Sequence, residues 1–125
     1  MKKTAAIIIK NKGKILLEKR LKKPYKNFWS LPGGHVEKKE TPLETIKRET
    51  KEELNIKISP VYLTSMEERI PSQGWKSELY IFESKSKDIP KADKIEVSEF
   101  KWFSKNELKD LRLGFKHKQI LDKYL

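Results

Sequence analysis

The sequence predicts a domain of mixed strands and helices, α/β or α+β. Three observations carry this. Short blocks of β-branched and aromatic residues recur along the chain, amphipathic helical segments stand between and after them, and turn residues separate the two. A length of 125 residues fits one core. No low-complexity tract, linker or repeat marks an internal boundary, so residues 1–125 read as a single domain.

Residues 4–10 and 14–19 are rich in β-formers, and Asn11-Lys12-Gly13 between them is turn chemistry, so the chain opens on a hairpin. Residues 22–27, polar and containing Pro24, read as a loop. Residues 28–31 form a short strand, expected to stop at Pro32-Gly33-Gly34 because those residues break a ladder. The best-defined helix follows. Thr41 caps it, Pro42 suits its first turn, and Glu44 completes a capping box. It should run to about Leu54, with Leu43, Ile46, Thr50 and Leu54 as its buried stripe and Asn55 as a left-handed cap. Residues 57–66, 77–84 and 97–103 read as strands. Ser104 and Glu107 repeat the capping box and open a short helix through about Leu111. Residues 116–125 carry Ile120, Leu121 and Tyr124 at helical spacing.

Composition narrows the chemistry. The start MKKTAAIII imitates a secretory signal, but Lys10 ends its apolar stretch, and no run approaches the ~18 apolar residues that a membrane span needs. A cytoplasmic protein with no membrane partner is expected. Cysteine is absent, which excludes disulfides, thiolate zinc sites and a cysteine nucleophile. His35 and His117 are the only histidines, so a metal would be held by carboxylates, whose oxygens suit magnesium or manganese. A net charge of +11 suits polyanionic partners. A Lys- and Glu-rich thermophile or a biased genome produces the same excess, so charge alone does not decide.

The carboxylates Glu49, Glu52 and Glu53 share one helix. At about 100° per residue, Glu53 lies about 40° to one side of Glu49 and Glu52 about 60° to the other, so all three project together beside the buried stripe. Like charges at this spacing cost a few tenths of a kcal/mol per pair, and the C-terminal half of a helix disfavours anions further. A solvated helix face would also look like this. The upstream Gly33-Gly34 tilts the reading toward a site, because a bare backbone can approach whatever the carboxylates hold, and a divalent cation would turn repulsion into coordination.

From Gly34 the chain reads GHVEKKETPLETIKRETKEELNI, which resembles the Nudix box: Gly, five residues, Glu, seven residues, Arg-Glu, an apolar position, any residue, Glu-Glu, any residue, Gly, an apolar position. Gly34, Glu40, Arg48, Glu49, Glu52, Glu53 and Ile56 fall on it. Thr50 occupies an apolar position and Asn55 replaces the last Gly, and neither departure touches a carboxylate. LPGGHVE, EFKWFSKNEL and LGFKHKQIL extend the likeness over nearly the whole chain at lower specificity.

The resemblance implies an α/β/α sandwich with a mixed sheet, and metal-dependent attack of water on a nucleoside diphosphate linked to another group. It implies that Glu49, Glu52 and Glu53 hold Mg2+ or Mn2+, with the Gly33 carbonyl as a further ligand and Arg48 orienting Glu49. Glu40 either adds an outer contact or is an exposed loop acid. The water-activating base is Glu53 or Glu52, with Glu96 and Glu99 as candidates outside the helix. Pro71, near where ADP-ribose-cleaving relatives carry a proline, and GFKH, which resembles their GFDH-like stretch apart from Lys116, favour ADP-ribose or a similar nucleotide sugar. The nearest alternative is a MutT-like hydrolase of non-standard nucleoside triphosphates. A non-catalytic nucleotide-binding Nudix domain would be expected to lose box carboxylates, and all are present. Phe28, Trp29, Trp75 and Tyr80 could stack a base or lie in the core; Arg20, Arg69 and Lys76 could meet phosphates or face solvent. Family members often form homodimers. No RNA-binding module is visible in so short a chain, which disfavours nucleic acid as a partner.

Overall fold

A computed structural model describes residues 2–88 and 97–125. Its central strand, β1 (Lys2–Asn11), is buried on both faces from Ala5 to Ile9, as a near-continuous apolar run requires. Lys12 and Gly13, both at positive φ, turn the chain into antiparallel β2 (Lys14–Arg20). The hairpin expected from the sequence is present.

β3 (Trp29–Ser30) pairs with β2, and β4 (Gly33–His35) pairs with β1, placing Gly33 opposite Ala6 and Gly34 opposite Ala5. The two glycines therefore extend the ladder instead of ending it. They do so because they lack side chains: a Cβ on Gly33 would collide with the carbonyl oxygen of Ala5.

α1 (Pro42–Leu54) has the capping box that the sequence predicts. Thr41 Oγ1 accepts from the Glu44 N–H at 3.2 Å, and Glu44 Oε1 accepts from the Thr41 N–H at 3.0 Å. Asn55 caps the other end at φ 52°. The buried face departs from the apolar stripe. Thr45, Ile46, Glu49, Thr50, Glu53 and Leu54 are buried, whereas Leu43 is 38% exposed. The buried arc is centred about 50° nearer the carboxylates than the stripe alone implies, which leaves Leu43 at its margin in the first turn.

β5 (Val61–Ile70) starts later than expected, after Pro60, whose missing N–H cannot join a ladder. A 3-10 turn (Pro71–Gln73) leads to β6 (Trp75–Lys85), antiparallel to β5 and parallel to β1, with Ala5 opposite Tyr80 and Ile7 opposite Phe82. β7 (Val97–Ser104) pairs with β2. α2 (Lys105–Leu108) is shorter than predicted, and Leu108 to Leu111 closes as a turn. α3 (His117–Tyr124) completes the described chain.

The sheet runs β3-β2-β1-β6-β5, with β4 also on β1 and β7 also on β2. It has a core on each face. Ala5, Ile7, Ile9, Leu16 and Phe82 pack under Ile46 and Leu54 of α1. Ala6, Ile8, Leu17, Leu79 and Ile81 pack under Leu108, Ile120 and Leu121 of α2 and α3. The fold is thus an α/β/α sandwich with a mixed sheet. Among the described residues no helix is long and apolar enough to cross a membrane.

Candidate active site

A cleft of ≈ 520 Å³ opens where β4 and α1 meet the end of β2, and Gly33, Gly34, Glu49, Glu52 and Glu53 all line it. The pairing of β4 with β1 sets Gly34 against α1. A Cβ on Gly34 would stand 2.7 Å from the Glu49 carboxyl carbon, so only glycine leaves that carboxylate its place.

The three carboxylates differ in setting. Glu49 and Glu53 are 8% and 3% exposed, while the Glu52 side chain is 42% exposed. Arg48 ties the group together. Its Nη1 donates to Glu49 Oε1 at 2.6 Å, its Nε donates to Glu40 Oε2 at 2.8 Å, and its Nη2 donates to Glu40 Oε1 at 3.0 Å. These charge-assisted bonds form the fork for which a guanidinium is suited. Glu40 also accepts from Thr45 Oγ1 at 2.6 Å and from the Glu37 N–H at 3.1 Å. The Arg48 bonds, aided by those two, hold the Glu40 carboxyl down at about 2. Glu40 in turn pushes the Arg48 guanidinium up.

Glu53 behaves in the opposite way. Burial, then the neighbouring Glu18 and Glu49, push its pKa strongly up. Among the described residues its Oε2 is buried with no hydrogen-bond partner. Glu18, 4% exposed on β2 and lining the same cleft, is a cleft residue that the sequence reading missed. Strand alternation was the available signal. Glu18 shares a face with Leu16, which packs under α1, but which face α1 covers depends on pairings distant in sequence.

The donor set suits a hard divalent cation: closely placed carboxylate oxygens, one of them buried without a partner, beside the glycine backbone of β4. The side chains are not drawn up around one point. Among the described residues no three His, Cys, Asp or Glu groups are gathered closely enough to hold an ion as they stand. The fit is therefore one of chemistry and burial, with the exposed Glu52 left to move inward.

The other predicted residues divide. Arg20 lines the cleft, its Nε donating to the Pro24 carbonyl at 2.7 Å and its guanidinium 4.9 Å from the Phe115 ring. Trp75 also lines it, edge-on to His35 at 5.8 Å with the Lys2 ammonium 5.0 Å from its ring. Phe28 and Trp29 lie elsewhere. Phe28 packs on Tyr25 and Arg112, and Trp29 meets Phe103 edge-on over the α3-side core. Tyr80 packs against the α1-side core. Arg69 and Lys76 are exposed away from the cleft, Arg69 beside Glu67 at 3.3 Å. Glu99 is exposed opposite Lys19, on the face of β2 turned away from Glu18. Glu96 lies outside the described residues. For Pro71 only the backbone is described, opening the turn between β5 and β6.

Of two further cleft residues, Glu68 carried no functional expectation and His117 entered only as the last residue of the GFKH stretch. Glu68 on β5 is 1% exposed and His117 at the start of α3 is 4% exposed. Bonds from the Trp29 N–H to the Arg112 carbonyl and from the Gly114 N–H to the Trp29 carbonyl, both 2.8 Å, bring this segment back to β3.

Known proteins carry the same architecture. A crystal structure described as a MutT NUDIX hydrolase from Burkholderia pseudomallei superposes with a TM-score of 0.90 over 99% of this chain and 98% of that one, at 23% identity, a likeness of fold. The 8-oxo-dGDP phosphatase NUDT18 of Homo sapiens is 37% identical over 67 residues, 54% of this chain and 21% of its own length. The ADP-ribose pyrophosphatase of Methanocaldococcus jannaschii is 34% identical over 121 residues, 94% of this chain and 69% of that protein. With the NUDIX domain family model matching residues 1–124 as well, the chain belongs to the NUDIX hydrolase family.

Proposed function

We propose that this enzyme hydrolyses the phosphoanhydride of a nucleoside diphosphate linked to another group, with ADP-ribose as the substrate to test first. One observation carries the reading: Glu49 and Glu53 are buried side by side behind Gly34, an arrangement that costs folding energy unless a cation occupies it. Likeness to the M. jannaschii ADP-ribose pyrophosphatase over most of both chains supports the choice of substrate.

Glu49, Glu52 and Glu53 would hold Mg2+ or Mn2+, with the Gly33 carbonyl at the edge of the site. A divalent ion there supplies charge neutralisation on phosphate oxygens and a more acidic water. The chain's own residues do the rest. Arg48 fixes the Glu49 carboxylate through its fork. Glu53, whose burial raises its proton affinity, would take the proton of the attacking water. Arg20 contributes positive charge to the cleft wall for a phosphate. The same reading takes the chain as one catalytic domain acting in the cytoplasm.

The test is a panel of nucleoside diphosphate-linked compounds with Mg2+ or Mn2+, repeated on Glu52→Gln and Glu53→Gln. AMP and ribose 5-phosphate should appear from ADP-ribose, with both variants losing at least ~100-fold in rate. A nucleoside triphosphate cleaved to monophosphate and pyrophosphate, with ADP-ribose untouched, would move the chain to the MutT-like reading.

A further inference from the structure

The cleft also holds two buried polar side chains that the hydrolytic machinery does not use. Glu68 and His117 come from β5 and α3 and line the same cavity as the carboxylates of α1. Each is anchored through one atom. Glu68 Oε2 accepts from the Lys116 N–H at 3.1 Å, and His117 Nδ1 accepts from the Leu31 N–H at 2.9 Å. The other atom of each, Glu68 Oε1 and His117 Nε2, has no hydrogen-bond partner among the described residues.

The anchors fix what those atoms offer. Burial, then Arg20, bring the His117 imidazole down to about 3, so it is neutral at physiological pH. A neutral imidazole that accepts at Nδ1 carries its proton on Nε2, which makes Nε2–H a donor. The Glu68 carboxylate already accepts at Oε2, and burial disfavours its charge. A ligand N–H at Oε1 would compensate that lost solvation. Beside the pair the wall is apolar and aromatic: Leu31, Leu79 and Phe115. Phe115 is held at φ 57°, a costly backbone state for an aromatic residue, with its ring against Tyr25 at 4.9 Å.

We propose that Glu68 and His117 form a base-reading pair, taking a nucleobase edge on which an amino donor stands beside a ring acceptor, the edge that adenine presents. The exocyclic amine gives its hydrogen to Glu68 Oε1, and the ring nitrogen accepts from His117 Nε2–H. The inference rests on the nucleotide-hydrolase reading above and specifies which part of the nucleotide the pair selects. Leaving a buried carboxylate without its donor is costly, so discrimination against a base lacking the amine should be strong.

Binding tests this without turnover. Calorimetric titration of the protein in EDTA compares AMP with purine riboside 5′-monophosphate, which lacks only the 6-amino group. AMP should bind at least ~10-fold more tightly. Glu68→Gln directs an amide donor at the amine when its oxygen keeps the Lys116 bond, and should shrink that preference to within about threefold. Equal affinity of the wild type for the two nucleotides, or no measurable binding of either, overturns the proposal, as does a folded Glu68→Gln that keeps the full preference. The wild-type comparison stands if the variant does not fold. A protein that discriminates the two nucleotides but does not cleave ADP-ribose refutes the choice of ADP-ribose as substrate alone; one that cleaves ADP-ribose without discriminating refutes the base-reading pair alone.

Discussion

Arg48 Nη1 lies 2.6 Å from Glu49 Oε1, and the same guanidinium reaches both oxygens of Glu40 from Nε and Nη2. One planar group therefore spans the loop before α1 and the helix itself. A lysine has a single point charge and cannot make both contacts in fixed directions. Arg48→Lys should keep the fold, because Thr41 and Glu44 still cap the helix, yet let Glu49 swing. A loss of about 10–100-fold in kcat/KM is expected, with metal affinity falling alongside it. Steady-state kinetics and a Mn2+ titration on the same preparation check this; a variant of full activity would show that Glu49 needs no orienting partner.

The two glycines of β4 should separate stability from activity. A Cβ on Gly33 meets main-chain carbonyl oxygen of β1, which cannot move without breaking the ladder, whereas a Cβ on Gly34 meets the flexible end of Glu49. Gly33→Ala is expected to lose several kcal/mol of stability or fail to fold. Gly34→Ala is expected to fold with a much smaller loss of stability and to lose most activity, because Glu49 is pushed from its place beside Arg48. Thermal melts paired with rate measurements distinguish the two outcomes.

That contrast also shows what local sequence can carry. The capping box of Thr41 and Glu44, the left-handed Asn55 and the Lys12-Gly13 turn are decided by residues a few positions apart, so pattern alone locates α1 and the first hairpin. The role of Gly33 depends on Ala5, 28 residues earlier, through a pairing that the glycines themselves argue against in sequence. Within the site, Arg48, Glu49, Glu52 and Glu53 follow from helical spacing. Glu18, Glu68 and His117 do not, because each is polar on an element whose buried side is chosen by β1–β6, β2–β7 and Gly114–Trp29 contacts formed across the whole chain. Phe28 and Trp29 illustrate the converse: aromatic residues near a glycine loop invite a stacking role, but the β3 register and the Trp29 contact with Phe103 turn them away from the cleft.

Burial of Glu53 beside Glu18 and Glu49 predicts a trade between stability and function. Without a divalent ion, replacing Glu53 with glutamine removes a carboxyl whose charge is opposed by burial and by two neighbours. In EDTA, Glu53→Gln should be more stable than the wild type by on the order of 1 kcal/mol or more, and so unfold at a higher temperature. Adding Mn2+ should raise the wild-type melting temperature and leave the variant nearly unmoved, since only a native state that binds the ion gains from it. Differential scanning calorimetry with and without Mn2+ reads both effects. An equal metal-induced shift in the two proteins would remove Glu53 from the ligand set.

His117 sets a testable pH dependence. Its folded pKa is depressed to about 3 from an ordinary 6.5, so above pH 6.5 it is neutral in both states and contributes no slope. Below pH 6.5 the unfolded chain takes up a proton that the buried ring refuses, and stability falls by about 1.4 kcal/mol per pH unit until about pH 3. Other groups add their own slopes. Glu40, held down at about 2, contributes stability above its unfolded value of 4.5 that is lost as pH falls toward 2. Glu53 and Glu68, both pushed up, act in the opposite sense, favouring the folded state at low pH and losing that contribution as pH rises above 4.5. A variant isolates the imidazole. In His117→Asn the asparagine Oδ1, at the position of the ring Nδ1, can still accept from the Leu31 N–H but cannot take up a proton. Urea unfolding of both proteins at pH 7, 6 and 5 should show their stability difference shifting in favour of the variant below pH 6.5 by about 1 kcal/mol per unit. The acidic groups cancel from that difference as long as their surroundings are unchanged. A difference independent of pH would mean that the folded protein protonates His117 as readily as the unfolded chain does, at the expense of the bond that Nδ1 accepts from the Leu31 N–H.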